Sequence, residues 1–455
     1  MDRGNSKKRV ALFIIAGVIL LCVGLVYFFF SDRSAEELST SERSARKTQT
    51  ARADGDDNQS RKVPNQVSQT FSKVSEASQS TLTKLKFNNA DELCKDFAEK
   101  ASPQWTEDQF AEALMDHIRS DDHALEDWLQ SITSVGSPRQ KGAALSLLLA
   151  SIDRKVRKEV YAQTPNCDQL KECSGPLEAL VGQKTSPYAY ALVNHAIYSS
   201  DPVLYGMAHN ICKRFSFDDD TVCDRVGALQ WMKIDPDNGV AALYALGELK
   251  LPPPNHDQTA FENALYRLSQ ANKFDLYFDV GNELPALPST LDDYQHRTEL
   301  ESLRAYFWDI TPLPPHTNIT KACSGEYLKN ANRRSLCEKV ANQYLRENAF
   351  LLDRAIFLKL AAQLGGERNS LQKYRDDQDE VNGYYIARNE RQKQQHQDSS
   401  GRATACHGIL KKYADVSRYA SQGEFKQFQQ EAKQFGLSRE ELINIGRRSR
   451  GTRSD

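Results

Sequence analysis

The feature that most constrains this chain is a run of 21 residues, Val10 to Phe30, without one charged side chain. As a helix it would rise about 31 Å, the thickness of a bilayer's hydrocarbon core. A cleaved signal peptide has an apolar stretch of about 7–15 residues that ends in small side chains. Here the run ends in Tyr27-Phe28-Phe29-Phe30, and Leu21 before Cys22 is too large for a lipidated cysteine. The expectation is an uncleaved single-pass anchor over 10–30, in contact with the lipid bilayer. Arg3, Lys7, Lys8 and Arg9 precede it, while Asp32, Glu36, Glu37 and Glu42 outnumber Arg33 and Arg43 after it. Basic flanks stay cytoplasmic. Residues 1–9 then form a cytoplasmic tail, and the rest of the chain is expected in the periplasm, anchored to a bacterial inner membrane.

The cysteines agree with an oxidising compartment. Beyond Cys22 there are eight: Cys94, Cys167, Cys173, Cys212, Cys223, Cys323, Cys337 and Cys406. An even number outside the membrane reads as a disulfide framework. Spacing selects local pairs Cys167–Cys173, Cys212–Cys223 and Cys323–Cys337, which leaves Cys94 to pair with Cys406. Zinc would need Cys-x-x-Cys or clustered His spacing, and neither is present. No metal and no cofactor are expected.

Composition divides the exported part. Residues 31–86 are rich in Ser, Thr, Gln and charges and poor in large apolar residues. They cannot bury enough surface to offset their ordering entropy, so they read as a flexible stem. Residues 87–365 read as an α-helical domain, 366–404 as a polar linker or exposed helix, 405–447 as a C-terminal helical unit, and 448–455 as a basic tail. A net charge of -2 leaves no electrostatic footprint for nucleic acid.

The fold class is all-α. Phe110, Leu114, Met115 and Ile118 share one helical face. So do Val203, Leu204, Met207, Ala208, Ile211, Cys212 and Phe215, and again Phe261, Ala264, Leu265 and Leu268. Leu352, Ala355, Ile356 and Leu360 approximate a further stripe. Residues 188–198 are apolar nearly all round and are expected to be buried on most sides. Thr106–Gln109 and Ser438–Glu441 have the spacing of capping boxes, with Trp105–Phe110 and Leu437–Leu442 as staples. Ser137-Pro138, Ser186-Pro187 and Asp201-Pro202 each place a capping side chain before proline, and so predict helix starts. Phe274, Leu276, Phe278 and Val280 alternate with period two, but have no neighbouring strand signal, and the segment is expected to be helical or irregular.

Residues 223–249, CDRVGALQWMKIDPDNGVAALYALGEL, resemble a junction between tetratricopeptide-like repeats. In that family a helix ends at a proline, a polar turn follows, and the next helix opens with a large apolar residue and Leu-Gly. Pro236, Leu243 and Leu246-Gly247 resemble those positions. The turn carries one extra residue, and no 34-residue recurrence accompanies it. The resemblance implies antiparallel helical hairpins, stacked as in an α-solenoid or in a more irregular helical domain.

Catalytic residues remain unknown at this level. Asp218 and Asp220 resemble the Asp-x-Asp motif by which anchored lumenal glycosyltransferases hold a metal–nucleotide-sugar complex, yet that class needs a parallel sheet. Capping of a following helix is the simpler reading of these acids. A muramidase-like helical enzyme would need one catalytic glutamate, for which Glu248 and Glu262 lie near helix ends. His117 and His123 read as a solvated helix end, and His195 and His209 as core histidines. Asn58 and Asn318 sit in glycosylation sequons. The expected function is a membrane-anchored helical scaffold or chaperone-like protein that binds protein or peptide partners. The alternative is an anchored glycan-active enzyme.

Overall fold

The structure is a computed structural model. It describes residues 87–451, apart from 106, 120–122, 165–170, 216, 218–219, 250–257, 348–349 and 396–398. Among the described residues there are seventeen α-helices and no β-strand. In chain order the first nine are α1 (Ala90–Lys100), α2 (Glu107–Ile118), α3 (Ala124–Val135), α4 (Pro138–Gln163), α5 (Lys171–Ser199), α6 (Pro202–Arg214), α7 (Ala228–Ile234), α8 (Gly239–Glu248) and α9 (Gln258–Gln270). Then come α10 (Tyr294–Ile310), α11 (Thr317–Ala322), α12 (Ala331–Glu347) and α13 (Leu351–Gln363). The last four are α14 (Arg368–Gln395), α15 (Ser399–Gln422), α16 (Glu424–Gln434) and α17 (Arg439–Gly451).

Side-chain caps set many of the starts. Ser137 and Gln140 cap α4 reciprocally, with Pro138 in its first turn. Asp201 accepts from the backbone of Val203 and Leu204 at the head of α6, and Ser438 exchanges hydrogen bonds with Glu441 at α17. The expected start at Ser186-Pro187 does not occur. Helix α5 runs through Pro187 and also holds Pro176. Pro187 removes one helical donor, but Ala189, Leu192, Val193 and Ala196 beyond it are buried, and that packing keeps the helix continuous. The same helix meets a second expectation. Residues 188–198 are covered on most sides, with Ala189, Leu192, Val193 and Ala196 buried and only Tyr190 and Tyr198 facing outward.

The stripes on α2, α6 and α9 are buried as their spacing requires: Phe110, Leu114, Leu204, Met207, Phe261 and Leu265 are all nearly inaccessible. On α13 the buried face overlaps the apolar stripe only in part: Leu360 is buried and Ile356 half-buried. Leu352 and Ala355 are exposed, and Asp353, Arg354, Phe357 and Leu358 are buried. Residues 368–395, expected as a polar linker or exposed helix, form α14, whose Asp379, Glu380 and Val381 are buried against α17. The alternating segment 274–280 is irregular, with Tyr277 in the left-handed region at φ 53°. Leu276, Phe278 and Val280 point into the core, and the segment closes in a short 3-10 turn, Val280–Glu283.

Successive helices from α3 to α9 pack on one another, but α10 crosses back onto α4 and also meets α15. Units of a solenoid touch only their neighbours. Here Tyr306 of α10 donates a 2.8 Å hydrogen bond to Asp153 of α4. The disulfide Cys94–Cys406 joins α1 to α15 with Cα atoms 5.5 Å apart. Cys212–Cys223 and Cys323–Cys337 close local loops. Cys173 is disulfide-bonded, and its expected partner Cys167 lies outside the described residues. Among the described residues no helix is long and apolar enough to cross a membrane. Val10–Phe30, the stem and residues 452–455 lie outside them.

Candidate binding cleft

One cleft of about 670 Å³ is built where the irregular segment after α9 meets α10 and α15. Its first wall owes its shape to two prolines. After the 3-10 turn, Pro285 and Pro288 prevent the chain from resuming a helix, so Leu284 and Leu287 face the cleft on extended backbone. Gly281 lets this wall sit flat on α10, because a Cβ there would lie 1.8 Å from Nε of Arg304. The second wall is Tyr294 to Glu301 of α10. The third is Leu410, Tyr413 and Ala414 of α15. Leu410 stands one turn after Cys406, so the disulfide to α1 holds this wall in place.

Arg304 fastens the first wall to the second. Its guanidinium donates to Asp279 at 3.0 Å and to Glu301 at 2.7 Å. Burial raises the pKa of both carboxyls, although the Arg304 charge opposes it. Glu301 Oε2 is buried and has no hydrogen-bond partner. That oxygen can accept a hydrogen bond from a bound group. At the rim, Asp292 and Arg297 are exposed and 3.4 Å apart. The lining thus combines apolar side chains with a few polar ones, as in sites that bury side chains and orient them with a few polar groups. Phe87, where the described chain begins, shares an apolar cluster with Leu410 and Tyr413.

The residues singled out from sequence are dispersed. Asp218 lies outside the described residues, and Asp220 opens a 3-10 turn, Asp220–Arg225. His117 bonds Asp96 at 2.7 Å, whereas His123 stands 3.8 Å from Glu126. His195 is half-buried, its pKa lowered by burial and by the Lys141 charge. His209 is fully buried between Trp231 and Tyr244. Its Nε2 faces Glu248 Oε1 at 3.5 Å and its Nδ1 has no partner, which favours the neutral ring with the proton on Nε2.

Neither glutamate suits a general acid. Burial works against the Glu248 carboxylate, but hydrogen bonds from His209 and Lys213 and the Lys213 charge outweigh it and hold its pKa at about 2. Its second oxygen accepts from the Ala228 backbone at 3.0 Å, so it caps α7. Glu262 is paired with Arg333. Asn318 is committed as well: its amide donates to the carbonyls of Leu246 and Leu249, both at 2.7 Å, and so terminates α8. A glycan on that nitrogen would break this contact. Asn58 lies outside the described residues.

At the repeat-like junction, Asn238 caps α8 through Val240 and also bonds the backbone of Asp275. Gly247 allows a close approach, but to Pro315 rather than to a neighbouring helix. The cleft residues Leu287 and Glu301, and Arg304 behind them, carry no motif. The signal available in the sequence was the long proline-bearing interval between α9 and α10, which interrupts an otherwise helical chain.

No protein-family model matches the chain, and no curated protein or solved structure matches it.

Proposed function

We propose that this protein is a tethered binding module, a scaffold or chaperone-like protein that captures a peptide segment of a partner in the cleft between residues 284–301 and α15. On this reading Val10–Phe30 anchors the chain in a bacterial inner membrane, residues 31–86 supply reach, and the helical body works in the periplasm. A flexible stem of 56 residues spans about 40 Å on average, taking roughly 5–6 Å times the square root of its length. The observation that carries the reading is the cleft itself: Leu284, Leu287 and Leu410 line it together with the charged Asp292, Arg297 and Glu301. That arrangement suits an extended peptide with an apolar anchor side chain, its backbone bonded by the Glu301 carboxyl. Stacked helical hairpins of the repeat type, as suggested by residues 223–249, are a common framework for such surfaces. The enzyme alternative lacks a residue poised for chemistry at either glutamate position.

A photo-crosslinking side chain at Leu287 of the full-length chain, in native membranes, tests this. It should give discrete adducts that disappear when Leu284→Arg is added, with the circular dichroism unchanged. The same probe at exposed Tyr266 of α9 should give none of them. Adducts that are indifferent to Leu284→Arg, or equal at both positions, would refute the assignment of the cleft.

A further inference from the structure

Among the described residues, four of the eight large apolar side chains left exposed lie on α5 or at the end of α3: Leu180 and Tyr190 at 37%, Tyr198 at 81% and Val135 at 86%. On α5, Leu180, Gln183, Pro187, Tyr190, Asn194 and Tyr198 recur at spacings of three and four, which sets them in one stripe along the helix. Between residues 176 and 198 the one exposed charged side chain is Lys184. Glu178 is paired with Arg157 at 2.8 Å. Val135 stands at the same end as Tyr198, because Arg139, in the first turn of α4, bonds Asp201 just past α5 at 2.8 Å. The chain as a whole is 26% charged, and a helix that faces water normally carries its charges on that side. A contiguous apolar face with so little charge marks an interaction surface.

With one charge on the stripe, electrostatics selects neither an acidic nor a basic partner, and Gln183 and Asn194 unsuit it to hydrocarbon. Its complement is a face of its own kind. We infer that α5 is the contact face of a homodimer, packed antiparallel on α5 of a second copy about a two-fold axis beside Pro187. A two-fold interface uses the same patch on both subunits. This one sets Pro176 against Tyr198 of the second copy, Leu180 against its Asn194 and Lys184 against its Tyr190. The lone charge thus meets an aromatic ring, which is a favourable pairing. Arg225, which donates to Asn194 at 3.0 Å and lies 5.9 Å over the ring of Tyr198, comes beside Leu180 of the second copy. The stripe rises about 33 Å and is about 10 Å wide, so two copies bury on the order of 700 Å², less than the roughly 1,000 Å² of a stable interface. The dimer is therefore weak in dilute solution and forms where copies are concentrated, as when an anchor confines them to one membrane. This takes the anchor from the proposed function, but not the cleft.

Cross-linking of the full-length chain in liposomes tests the pairing. Pro187→Cys, in a Cys22→Ser background and treated with a short bismaleimide, should give a covalent homodimer identified by its mass. Tyr266→Cys on the exposed side of α9 should give none. Leu180→Arg, which sets a charge beside Arg225 of the second copy, should lower the yield at position 187 several-fold. Leu180→Glu, which offers that arginine a partner, should not, and both should keep the circular dichroism of the unaltered chain. Should Leu180→Arg fail to fold, the contrast between positions 187 and 266 still decides. The same reaction in detergent at raised protein concentration keeps the two readings apart: dimer there, with none in liposomes, tells against the anchor and leaves the interface standing. A yield at position 187 no higher than at 266 under both conditions, or an equal response to Leu180→Arg and Leu180→Glu, would overturn the inference.

Discussion

Two helical regions of this protein are held together by different means. In α7–α9 the seam is apolar. Trp231, Leu243, Leu246, Phe261 and Leu265 are fully buried, and the ring of Trp231 packs on His209 at 5.0 Å between centroids. In α14 and α17 the seam adds close backbone contact and charge to the buried Val381 and Leu442. A Cβ on Gly383 would lie 1.9 Å from the Leu442 carbonyl oxygen, and one on Gly446 would lie 2.1 Å from that of Asp379. Around this close crossing, Arg439 bonds Asp377 and Glu380, Arg447 bonds Asp376, and Arg450 bonds Asp379. The difference teaches where local pattern suffices. Apolar periodicity announces a seam closed by side-chain burial. A seam closed by glycine and arginine looks, in sequence, like a solvated charged helix.

The largest break in the comparison should come from Trp231→Ala. Removing a fully buried indole leaves a cavity in the apolar seam and should cost about 4 kcal/mol, read as a lower midpoint in urea unfolding. A loss below about 1 kcal/mol would mean that this seam is not closed by side-chain packing.

Acid should next separate Glu248 from Asp379 by sign. Glu248 has a folded pKa of about 2 against 4.5 for the free group. Its stabilisation is complete above the higher value and is lost as pH falls toward the lower, about 3 kcal/mol in all. Buried neutral His209, whose pKa is lowered by burial, adds loss of the same sign. Asp379 runs the other way. Burial, outweighing Arg450 and Arg447, raises its pKa, so its contribution is complete at low pH and declines as pH rises through its folded value. Glu248→Gln should flatten the acid limb of an unfolding titration, whereas Asp379→Asn should leave that limb in place.

Gly446→Ala should cost about 2 kcal/mol, because the added carbon meets backbone and the helices must separate. Loss of protection in amide exchange should be confined to α14 and α17. An unchanged exchange pattern would show that the crossing is looser than the structure has it. The smallest effect should follow Arg447→Gln. It removes a half-exposed ion pair with Asp376 and should cost about 0.5 kcal/mol at low salt and less at high salt, again measured by urea unfolding.

Much of the helical framework was legible. The stripes of α2, α6 and α9, the caps at Ser137, Asp201 and Ser438, and the polar turn before Asn238 all follow from spacing that a single chain displays. The cleft was not. Leu287 and Glu301 become neighbours only because Gly281 admits Arg304, and because α15 is brought across by Cys406. Neither event leaves a periodic trace: Gly281 and Arg304 sit in different elements, and Cys94 and Cys406 are 312 positions apart.

Helix α13 shows the division most plainly. Its sequence determined that a helix forms there, because backbone bonding and apolar spacing act within a few turns. Which face turned inward was decided by the tertiary structure. Arg354 is buried because it donates to the Leu345 carbonyl at 2.6 Å and lies 3.9 Å over the ring of Phe425. Asp353 is buried with His316 at 3.1 Å. Burying a charge is favourable only when partners compensate its lost hydration. Those partners come from other segments, so the local pattern alone pointed to Leu352 and Ala355, and the fold chose Asp353 and Arg354.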